Sequence, residues 1–458
     1  MTFWEGRLIK RTSWALVATA GVLVLAILTV SVVEREELGY LVLPTVAGYG
    51  LYALGMAKVF PRRSVVIATA LADARLVPEQ QSGVDWLLLI RCLAAVTVFI
   101  MHSGIVLGRD YTYGGSPWAW VIYSPAWLGM VMFFALSGYL MGKGFYRGKY
   151  SPDRAGVVRF LRNRWWRIAP LILAVGFLVV VLQVPDWLNR GDLALSLTTF
   201  SFNGVVSPAS LSAAWSLSTE WQFYLLVPVL FVGVAWVIRR GGPRSIPLLV
   251  VGSVVVVSCV RASQWLAGGA WNPFIYTPVY CNLDIFLVGF LSNWVFGRTS
   301  ASVRAVLGRC WPLLLVGLFL AYSWIAFPVM AKGESGFRFI FQIILPGAAA
   351  LLMCPILIGA EAANEAWRTR PMETTRARLL PWLLNWAGAL TYPIYLVHSP
   401  VLVSVQTGLP DAPYLFRLAM SIGVTLVLSV GLHLTVEQVS LARRTRAVTR
   451  PSGDRPGL

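Results

Sequence analysis

The sequence predicts an all-α fold, a polytopic transmembrane helical bundle of about 12 spans. Of its 458 residues, 57% are hydrophobic and only 13% are charged, whereas about a quarter of the residues of a typical soluble domain are charged. Apolar stretches long enough to cross a bilayer recur along the whole chain. The composition therefore favours an integral membrane protein over a soluble enzyme.

Glycine, proline and runs of charge divide the chain into apolar segments. Residues 1–84 are predicted to form a two-helix N-terminal extension and a cytoplasmic linker, 85–440 a membrane domain, and 441–458 a disordered basic cytoplasmic tail. The predicted spans are residues 14–33, 41–60, 86–107, 118–142, 168–184, 220–238, 246–262, 281–297, 311–328, 339–360, 383–405 and 414–438.

The distribution of lysine and arginine predicts the orientation. With the amino terminus in the cytoplasm, all but eight of the 38 basic residues fall on the cytoplasmic side, as the positive-inside rule requires. We therefore expect a multi-pass protein of the cell inner (plasma) membrane with both termini cytoplasmic, membrane lipids as partners, and no nucleic-acid partner despite a net charge of +18. The exceptions are Arg91, which lies within a span, and Arg35, Arg109, Arg190, Arg261, Lys332, Arg338 and Arg417, which fall outside.

Two ionisable residues share one face of the span 86–107. Arg91 and His102 are separated by residues that are all apolar except Thr97. Eleven residues turn a helix by about 1100°, so both side chains leave the same face about 16 Å apart. Charged groups at membrane depth are costly and usually face the protein interior or a wet cavity. This spacing predicts a polar track along the helix.

Other ionisable residues are predicted to converge on the outer half of the membrane. His102 and His398 lie about 24 and 20 Å along in-to-out helices, and Glu220 and Asp284 begin out-to-in spans. Each has a simpler alternative. A lone histidine can merely hydrogen-bond between helices, and Glu220 and Asp284 can be solvated carboxylates at helix starts, favoured by the dipole.

A basic segment lies on the cytoplasmic side. Lys143 to Arg167 contains eight basic residues and one acid, Asp153. Contact with anionic lipid headgroups is one interpretation. The other is a phosphate-binding surface, because arginines at i, i+3 helical intervals present fork-shaped donors suited to phosphate. The arginines so spaced are Arg159, Arg162, Arg164 and Arg167.

These placements suggest a group transfer across the membrane. His102 could remove a proton from an acceptor hydroxyl, a carboxylate such as Glu220 or Asp284 could orient the imidazole or the acceptor, and cytoplasmic arginines could hold the phosphates of an activated donor. The five cysteines lack metal-type spacing, so no metal and no permanently bound cofactor are expected. Neither a glycine-rich nucleotide loop nor a G-x-S-x-G elbow is present.

Several segments, in order, resemble motifs of the acyltransferase-3 family of integral-membrane O-acyltransferases. Arg91 to His102 resembles its Arg-x10-His signature, and Phe133 to Tyr139 resembles "FFxLSGxL". The remaining matches are Arg159 to Pro170 with its Arg-rich loop, Trp215 to Tyr224 with "WSLSxExQFY", Asn282 to Gly289 with "RxDxFxxG", and Leu390 to Pro400 with "SYxLYLxHxP".

The resemblance implies a core of ten helices, acyl-coenzyme A as the cytoplasmic donor, and transfer to a hydroxyl of an exported or surface molecule such as a glycan or glycolipid. It also implies that His102 is the catalytic base, that Arg91 serves the donor or the fold, and that Arg162, Arg164 and Arg167 face the donor. The sequence departs from the family pattern at three positions, Leu88, Trp221 and Asn282.

The alternative function is that of a transporter or lipid flippase for an anionic solute. Such a protein would show inverted repeats and broken helices in matching halves, and no such symmetry is visible. A purely structural scaffold is a third possibility, but it leaves the aligned polar residues unexplained.

Overall fold

A computed structural model describes residues 84–112, 114–184, 209–269, 271–368 and 375–441. Every regular element within these ranges is helical and none is a strand, which confirms the predicted all-α class. The two predicted N-terminal spans and the predicted tail after residue 441 lie outside the described residues.

Ten helices of more than ten residues lie within the described ranges. Single helical turns lie between several of them, including Ala119–Ile122 before the second helix and His433–Glu437 after the last. The helices are α1 Trp86–Leu107, α2 Ala126–Tyr146, α3 Arg154–Gln183, α4 Ala214–Gly241, α5 Ser245–Leu266, α6 Leu283–Phe296, α7 Ala301–Ala331, α8 Leu345–Arg368, α9 Thr375–Gly408 and α10 Tyr414–Leu432.

Nine helical segments of the described chain are long and apolar enough to span a membrane, and α6 is the exception. With 14 residues it measures about 21 Å, less than the roughly 30 Å of a hydrocarbon core. Every residue of α6 except Leu283 and Val295 is buried, so this helix is the centre of the bundle and faces protein instead of lipid.

Small residues allow α6 to lie against α2. A Cβ atom added at Gly289 of α6 would lie 1.9 Å from the carbonyl oxygen of Ala135, and one at Gly138 of α2 would lie 2.0 Å from that of Phe286. Close backbone approach through small residues is a common mode of helix packing in membranes. Gly138 and Gly289 therefore form the close contact between α2 and α6.

We expect the substitution Gly289→Ala to destabilise the protein by about 1–3 kcal/mol, the usual range for overpacking. The added methyl group meets a backbone oxygen that cannot move without displacing α2. Thermal unfolding in detergent would measure the effect. Gly317→Ala on α7 is the matched control, because nothing lies within 4 Å of a Cβ atom there, and equal melting temperatures for the two variants would contradict the packing argument.

Several helices begin earlier than the sequence pattern predicts, and two of these starts change the position of candidate site residues. α3 starts at Arg154, where Asp153 caps it by accepting a hydrogen bond from the amide of Gly156, so the arginine-rich segment is the first half of a helix. α4 starts at Ala214 instead of Glu220, which places Glu220 about 9 Å into the helix. The first turns of both helices contain charged or polar residues. Hydropathy detects only the apolar part of a span, so it did not indicate these starts.

The helix α1 is enclosed by α2 and α9, and α10 packs on α9 and, over a smaller area, on α1. Asp85 caps α1 through the amide of Leu87 and accepts a hydrogen bond from Asn364 of α8. Asp85 thus ties the start of α1 to α8. The α1–α9–α10 assembly holds both predicted histidines.

Candidate active site

His102 of α1 and His398 of α9 meet between the two helices. The Nδ1 atom of His102 lies 2.8 Å from the Nε2 atom of His398, and the two rings are nearly parallel at 15°. His398 is 1% exposed, whereas His102 is half-buried. The structure thus brings together the two histidines that the sequence placed at similar depth.

The contacts of His398 fix the direction of the hydrogen bond between the rings. Its Nδ1 atom lies 2.7 Å from the carbonyl oxygen of Tyr395 and 3.2 Å from that of Ile394. A carbonyl oxygen can only accept, so Nδ1 of His398 carries the hydrogen and, in the neutral ring, Nε2 accepts. His102 must then donate from Nδ1, which leaves the lone pair of a neutral His102 on Nε2. This is the form that a general base needs.

Tyr395 holds His398 from the other side. Its hydroxyl lies 2.6 Å from the Oγ of Ser216 and 3.1 Å from the carbonyl oxygen of Ala213 at the start of α4. The main-chain carbonyl oxygen of Tyr395 accepts the hydrogen bond from Nδ1 of His398. The hydrogen-bonded pair of His102 and His398, which we call the histidine relay, is therefore anchored to a third helix, α4. This contact keeps both rings in place.

The loop after α1 covers the helix close to His102. The hydroxyl of Tyr111 donates to the carbonyl oxygen of Met101, and a Cβ atom at Gly104 would lie 2.0 Å from that hydroxyl. Asp110 shapes the loop. Hydrogen bonds from the side chain of Thr112 and from the amides of Gly114 and Thr112 lower the pKa of the Asp110 carboxyl.

Glu220 belongs to a second cluster. Its Oε1 atom accepts a hydrogen bond of 2.5 Å from Ser137 of α2 and another from Tyr224, one turn further along α4. The carboxylate also interacts electrostatically with Arg91 and Arg164. Glu220 was predicted to lie beside the two histidines at the outer end of its helix. Because α4 starts at Ala214, Glu220 lies deeper in the helix and its charged neighbours are Arg91 and Arg164.

Arg91 continues the polar face of α1 towards the start of the helix. α1 is an unbroken helix from Trp86 to Leu107, so the predicted separation of about 16 Å from His102 holds. The guanidinium group of Arg91 is close enough to Glu220 to be attracted by the carboxylate and close enough to Arg167 of α3 to be repelled by it. Arg91 is therefore an electrostatic neighbour of the cluster formed by Glu220 and the arginines of α3.

The arginines of α3 have different surroundings. The guanidinium carbon of Arg164 lies 5.8 Å from the ring centres of both Phe160 and Tyr224, and its buried Nε has no hydrogen-bond partner in the described part of the chain. Arg167 forms an ion pair of 2.5 Å with Glu437 and lies over the ring of Tyr392. Arg162 is exposed. Arg164 and Arg159 are thus the arginines of α3 whose buried Nε has no hydrogen-bond partner among the described residues.

Part of the basic segment stabilises the fold. Lys143 and Arg147 both pair with Oε1 of Glu361 on α8, at 2.5 and 3.1 Å. Glu361 is fully buried. These two cations tie α2 to α8, and the phosphate-binding hypothesis is better supported for the arginines of α3.

Asp284 is separate from both clusters in its contacts. Its Oδ1 atom accepts a hydrogen bond of 2.7 Å from Arg261 of α5, whose Nε donates to the carbonyl oxygen of Cys281. The two side chains are 0% and 1% exposed. Arg261 was predicted to lie outside the membrane on the outer side, but it is buried within α5, where Asp284 neutralises it. The alternative that Asp284 is a solvated carboxylate at a helix start is therefore wrong, because its side chain is buried and paired.

Sequence reasoning missed the partners of these residues. Ser137 and Tyr224 stand in segments that match family motifs, yet nothing in the sequence assigns them to Glu220. Arg261 and Glu437 are far in sequence from Asp284 and Arg167. Periodicity within one helix could not reveal pairs between helices.

Comparison with known proteins identifies the family. A family model described as an acyltransferase domain, Acyl_transf_3, matches residues 84–434, which is more than half of the chain. No solved structure matches it.

The curated relatives carry names of the same kind. The chain is 23% identical over 376 residues to the peptidoglycan O-acetyltransferase OatA of Listeria monocytogenes, covering 74% of this chain and 53% of that protein. It is 22% identical over 238 residues to the O-acetyltransferase OatA of Staphylococcus aureus, covering 48% of this chain and 35% of that protein. The chain thus spans about half or less of the length of these relatives.

Proposed function

The chain belongs to the acyltransferase-3 family of membrane acyltransferases, and from this premise we propose that it moves a short acyl group from acyl-coenzyme A to a hydroxyl of an extracytoplasmic glycan, glycolipid or exported glycosylated metabolite. The donor binds from the cytoplasmic side and the acceptor from the outer side. The observation that carries the proposal is the histidine relay, which presents the lone pair of His102 Nε2.

His102 acts as the general base in this reaction. Nε2 takes the proton of the acceptor hydroxyl, the oxygen attacks the thioester carbon, and the C–O bond forms as the C–S bond breaks. The coenzyme A thiolate leaves and receives a proton. His398 holds the imidazole in the required tautomer, as the orienting member of a catalytic triad does.

The arginines on the cytoplasmic side bind the donor. Phosphate groups match the planar, fork-shaped guanidinium group, and the unsatisfied Nε of Arg164 offers a buried donor. Arg91 lies between this cluster and His102 and compensates negative charge on the path of the acyl group. Glu220, with its hydroxyl partners Ser137 and Tyr224, keeps the arginines in position.

The orientation and the acceptor follow from different observations. The excess of lysine and arginine in the predicted cytoplasmic loops supports a plasma-membrane protein with both termini inside. The names of the relatives support a glycan acceptor, with peptidoglycan as the first candidate.

Acyl transfer in purified membranes tests the proposal. Membranes containing the protein are supplied with labelled acetyl- or succinyl-coenzyme A, and the label is followed into glycan and glycolipid fractions. We expect label in these fractions only when the protein is present. Uptake of labelled anionic solutes by the same vesicles, with no label transferred, would instead support the transporter or flippase alternative.

We expect Arg164→Ala to raise the KM for acyl-coenzyme A by about tenfold or more, since a lost hydrogen bond to a charged group costs about 1.5–3 kcal/mol. Arg154→Ala is the matched control, because Arg154 stands exposed at the start of the same helix. Steady-state kinetics with varied donor measures both. Equal KM values for the two variants would show that α3 contributes only general positive charge.

A further inference from the structure

Arg417 stands in the first turn of α10, at the end of the bundle that the proposed orientation places outside. This position is unfavourable for a cation in two respects. The helix dipole repels positive charge near the start of a helix, and the outer segments of membrane proteins carry few basic residues. A cation kept at such a position calls for a specific role.

The side chain of Arg417 points towards the bundle. Its Nη1 atom donates to the side-chain oxygen of Gln406 on α9, and Nη2 donates to the carbonyl oxygen of Leu107 at the end of α1, at 3.2 Å. The two residues before Arg417, Leu415 and Phe416, are instead 74% and 52% exposed and suit lipid. The guanidinium group therefore lies between α10 and the two helices that carry the histidine relay.

The charge of Arg417 has no counter-ion in the described part of the chain. Both of its hydrogen-bond partners are neutral, and none of the ion pairs between described residues includes it. A guanidinium group has five N–H donors, and the buried Nε of Arg417 has no partner among these residues. The buried Arg261 of α5 differs, because Asp284 neutralises it.

The acidic residues of the two adjoining loops do not replace this counter-ion. The carboxylate of Asp110 accepts hydrogen bonds from Thr112 and from the amide of Gly114. Asp411 is exposed and forms no ion pair with Arg417 within the described ranges. The guanidinium group thus keeps its charge available to an anion from outside the chain.

Two further side chains belong to the same cluster. Tyr414 precedes Arg417 by three positions, so the two are neighbours on α10, and the buried hydroxyl of Tyr414 has no hydrogen-bond partner among the described residues. The guanidinium carbon of Arg109, in the loop after α1, lies 5.9 Å from the centre of the Tyr414 ring. We call the cluster of Arg109, Tyr414 and Arg417 the outer arginine site.

The outer arginine site lies beyond the histidine relay on the outer side. His102 precedes Leu107 by five residues on α1, which places their α-carbons about 9 Å apart. Because Arg417 binds the carbonyl oxygen of Leu107, its guanidinium group lies roughly one and a half helical turns beyond His102. A glycan whose hydroxyl is at His102 can therefore reach the site with a substituent of the same or the next sugar unit.

We propose that the outer arginine site binds a carboxylate of the glycan acceptor, selects acidic glycans and orients their hydroxyl at His102. The inference rests on the proposed function, in which the acceptor enters from the outer side. A carboxylate matches the planar fork of a guanidinium group and accepts two parallel hydrogen bonds from it, and the tyrosine hydroxyl is a third donor. The bound anion neutralises Arg417, satisfies its Nε and offsets the repulsion by the dipole of α10.

Binding tests the site without any need for catalysis. The probes are oligosaccharides of N-acetylglucosamine and N-acetylmuramic acid, with the lactyl carboxylate either free or converted to the amide, and calorimetry on the purified protein in neutral detergent measures Kd. We expect the acidic probe to bind about tenfold or more tightly than the amide, and both to bind equally to Arg417→Gln. Equal affinities in the wild type, or no binding of the acidic probe, would overturn the proposal even if acyl transfer is confirmed.

Matched variants separate anion binding from general effects. Arg338→Gln should keep the preference for the acidic probe, because Arg338 is an exposed arginine between α7 and α8. Arg417→Lys keeps the charge but loses the fork, so it should keep only part of the preference. Tyr414→Phe removes one hydroxyl and no charge, so it gives a second measure if Arg417→Gln does not fold. Wild-type preference in folded Arg417→Gln, or in both Arg417→Lys and Tyr414→Phe, would also overturn the site.

Kinetics distinguish a glycan carboxylate from the phosphate of a lipid headgroup. Arg417→Gln should raise the KM for the acidic oligosaccharide by about tenfold or more and leave the KM for acyl-coenzyme A unchanged, in vesicles of phosphatidylcholine with or without phosphatidylglycerol. An effect seen only with phosphatidylglycerol, and equally for both oligosaccharides, would assign the site to lipid and overturn the proposal. Selective binding of the acidic probe without acyl transfer would support the site and contradict the proposed function.

Discussion

Replacement of His102 by alanine is expected to lower the rate of acyl transfer by about 10³-fold, within the usual 10²–10⁴-fold contribution of a general base. The imidazole is the group whose lone pair faces the acceptor, and no neighbouring side chain on α1 can replace it, because residues 98–101 are apolar. Transfer of labelled acetyl groups at equal expression measures the loss. Ser103→Ala is the control, since among the described residues that hydroxyl bonds only the carbonyl oxygen of Ile100 in its own helix.

The histidine relay also predicts a graded effect at His398. His398→Ala removes the acceptor for Nδ1–H of His102 but not the base itself, so kcat should fall by about 10–100-fold with little change in KM. A loss as large as that of His102→Ala would assign proton transfer to both rings. Full activity in His398→Ala would mean that the hydrogen bond between the rings does not orient the base.

The histidine pair was within reach of sequence reasoning because it depends only on depth. His102 and His398 stand far along two apolar segments that run in the same predicted direction, and helical rise alone places them at one level. Arg91 was found in the same way, from angular spacing on a single helix. Both arguments use only the rise and the turn per residue within a single helix, and these follow directly from positions in the sequence.

Residues at helix starts were placed less well. Glu220 was expected at an outer end because hydropathy begins the span there, yet α4 starts at Ala214 and carries the carboxylate towards the arginines. Arg261 was assigned to the outer side because it stands next to the outer end of the predicted span 246–262. Its cost inside the bundle is offset by Asp284, a partner on another helix that hydropathy cannot see.

The buried pair of Arg261 and Asp284 gives the largest expected effect on stability. Asp284→Ala leaves the guanidinium group of Arg261, 1% exposed, without its only anionic partner among the described residues. Removing one member of a buried ion pair typically destabilises a protein by about 3–5 kcal/mol. We expect a similar loss for Arg261→Met, because the carboxylate of Asp284 is equally enclosed. Thermal unfolding in detergent, compared with Arg304→Met in the half-exposed pair with Glu365, measures both.

The double variant Arg261→Met/Asp284→Asn separates a structural role of Asp284 from the catalytic role that the sequence suggested. Without either charge, no uncompensated ion remains in the bundle, so the double variant should be more stable than each single one. If Asp284 serves only to hold α5 and α6 together through Arg261, acyl transfer per folded molecule should recover in the double variant to within about tenfold of wild type. A stable double variant whose kcat stays as low as that of His102→Ala would instead place Asp284 in the chemistry, because stability would be restored without the carboxylate that the reaction requires.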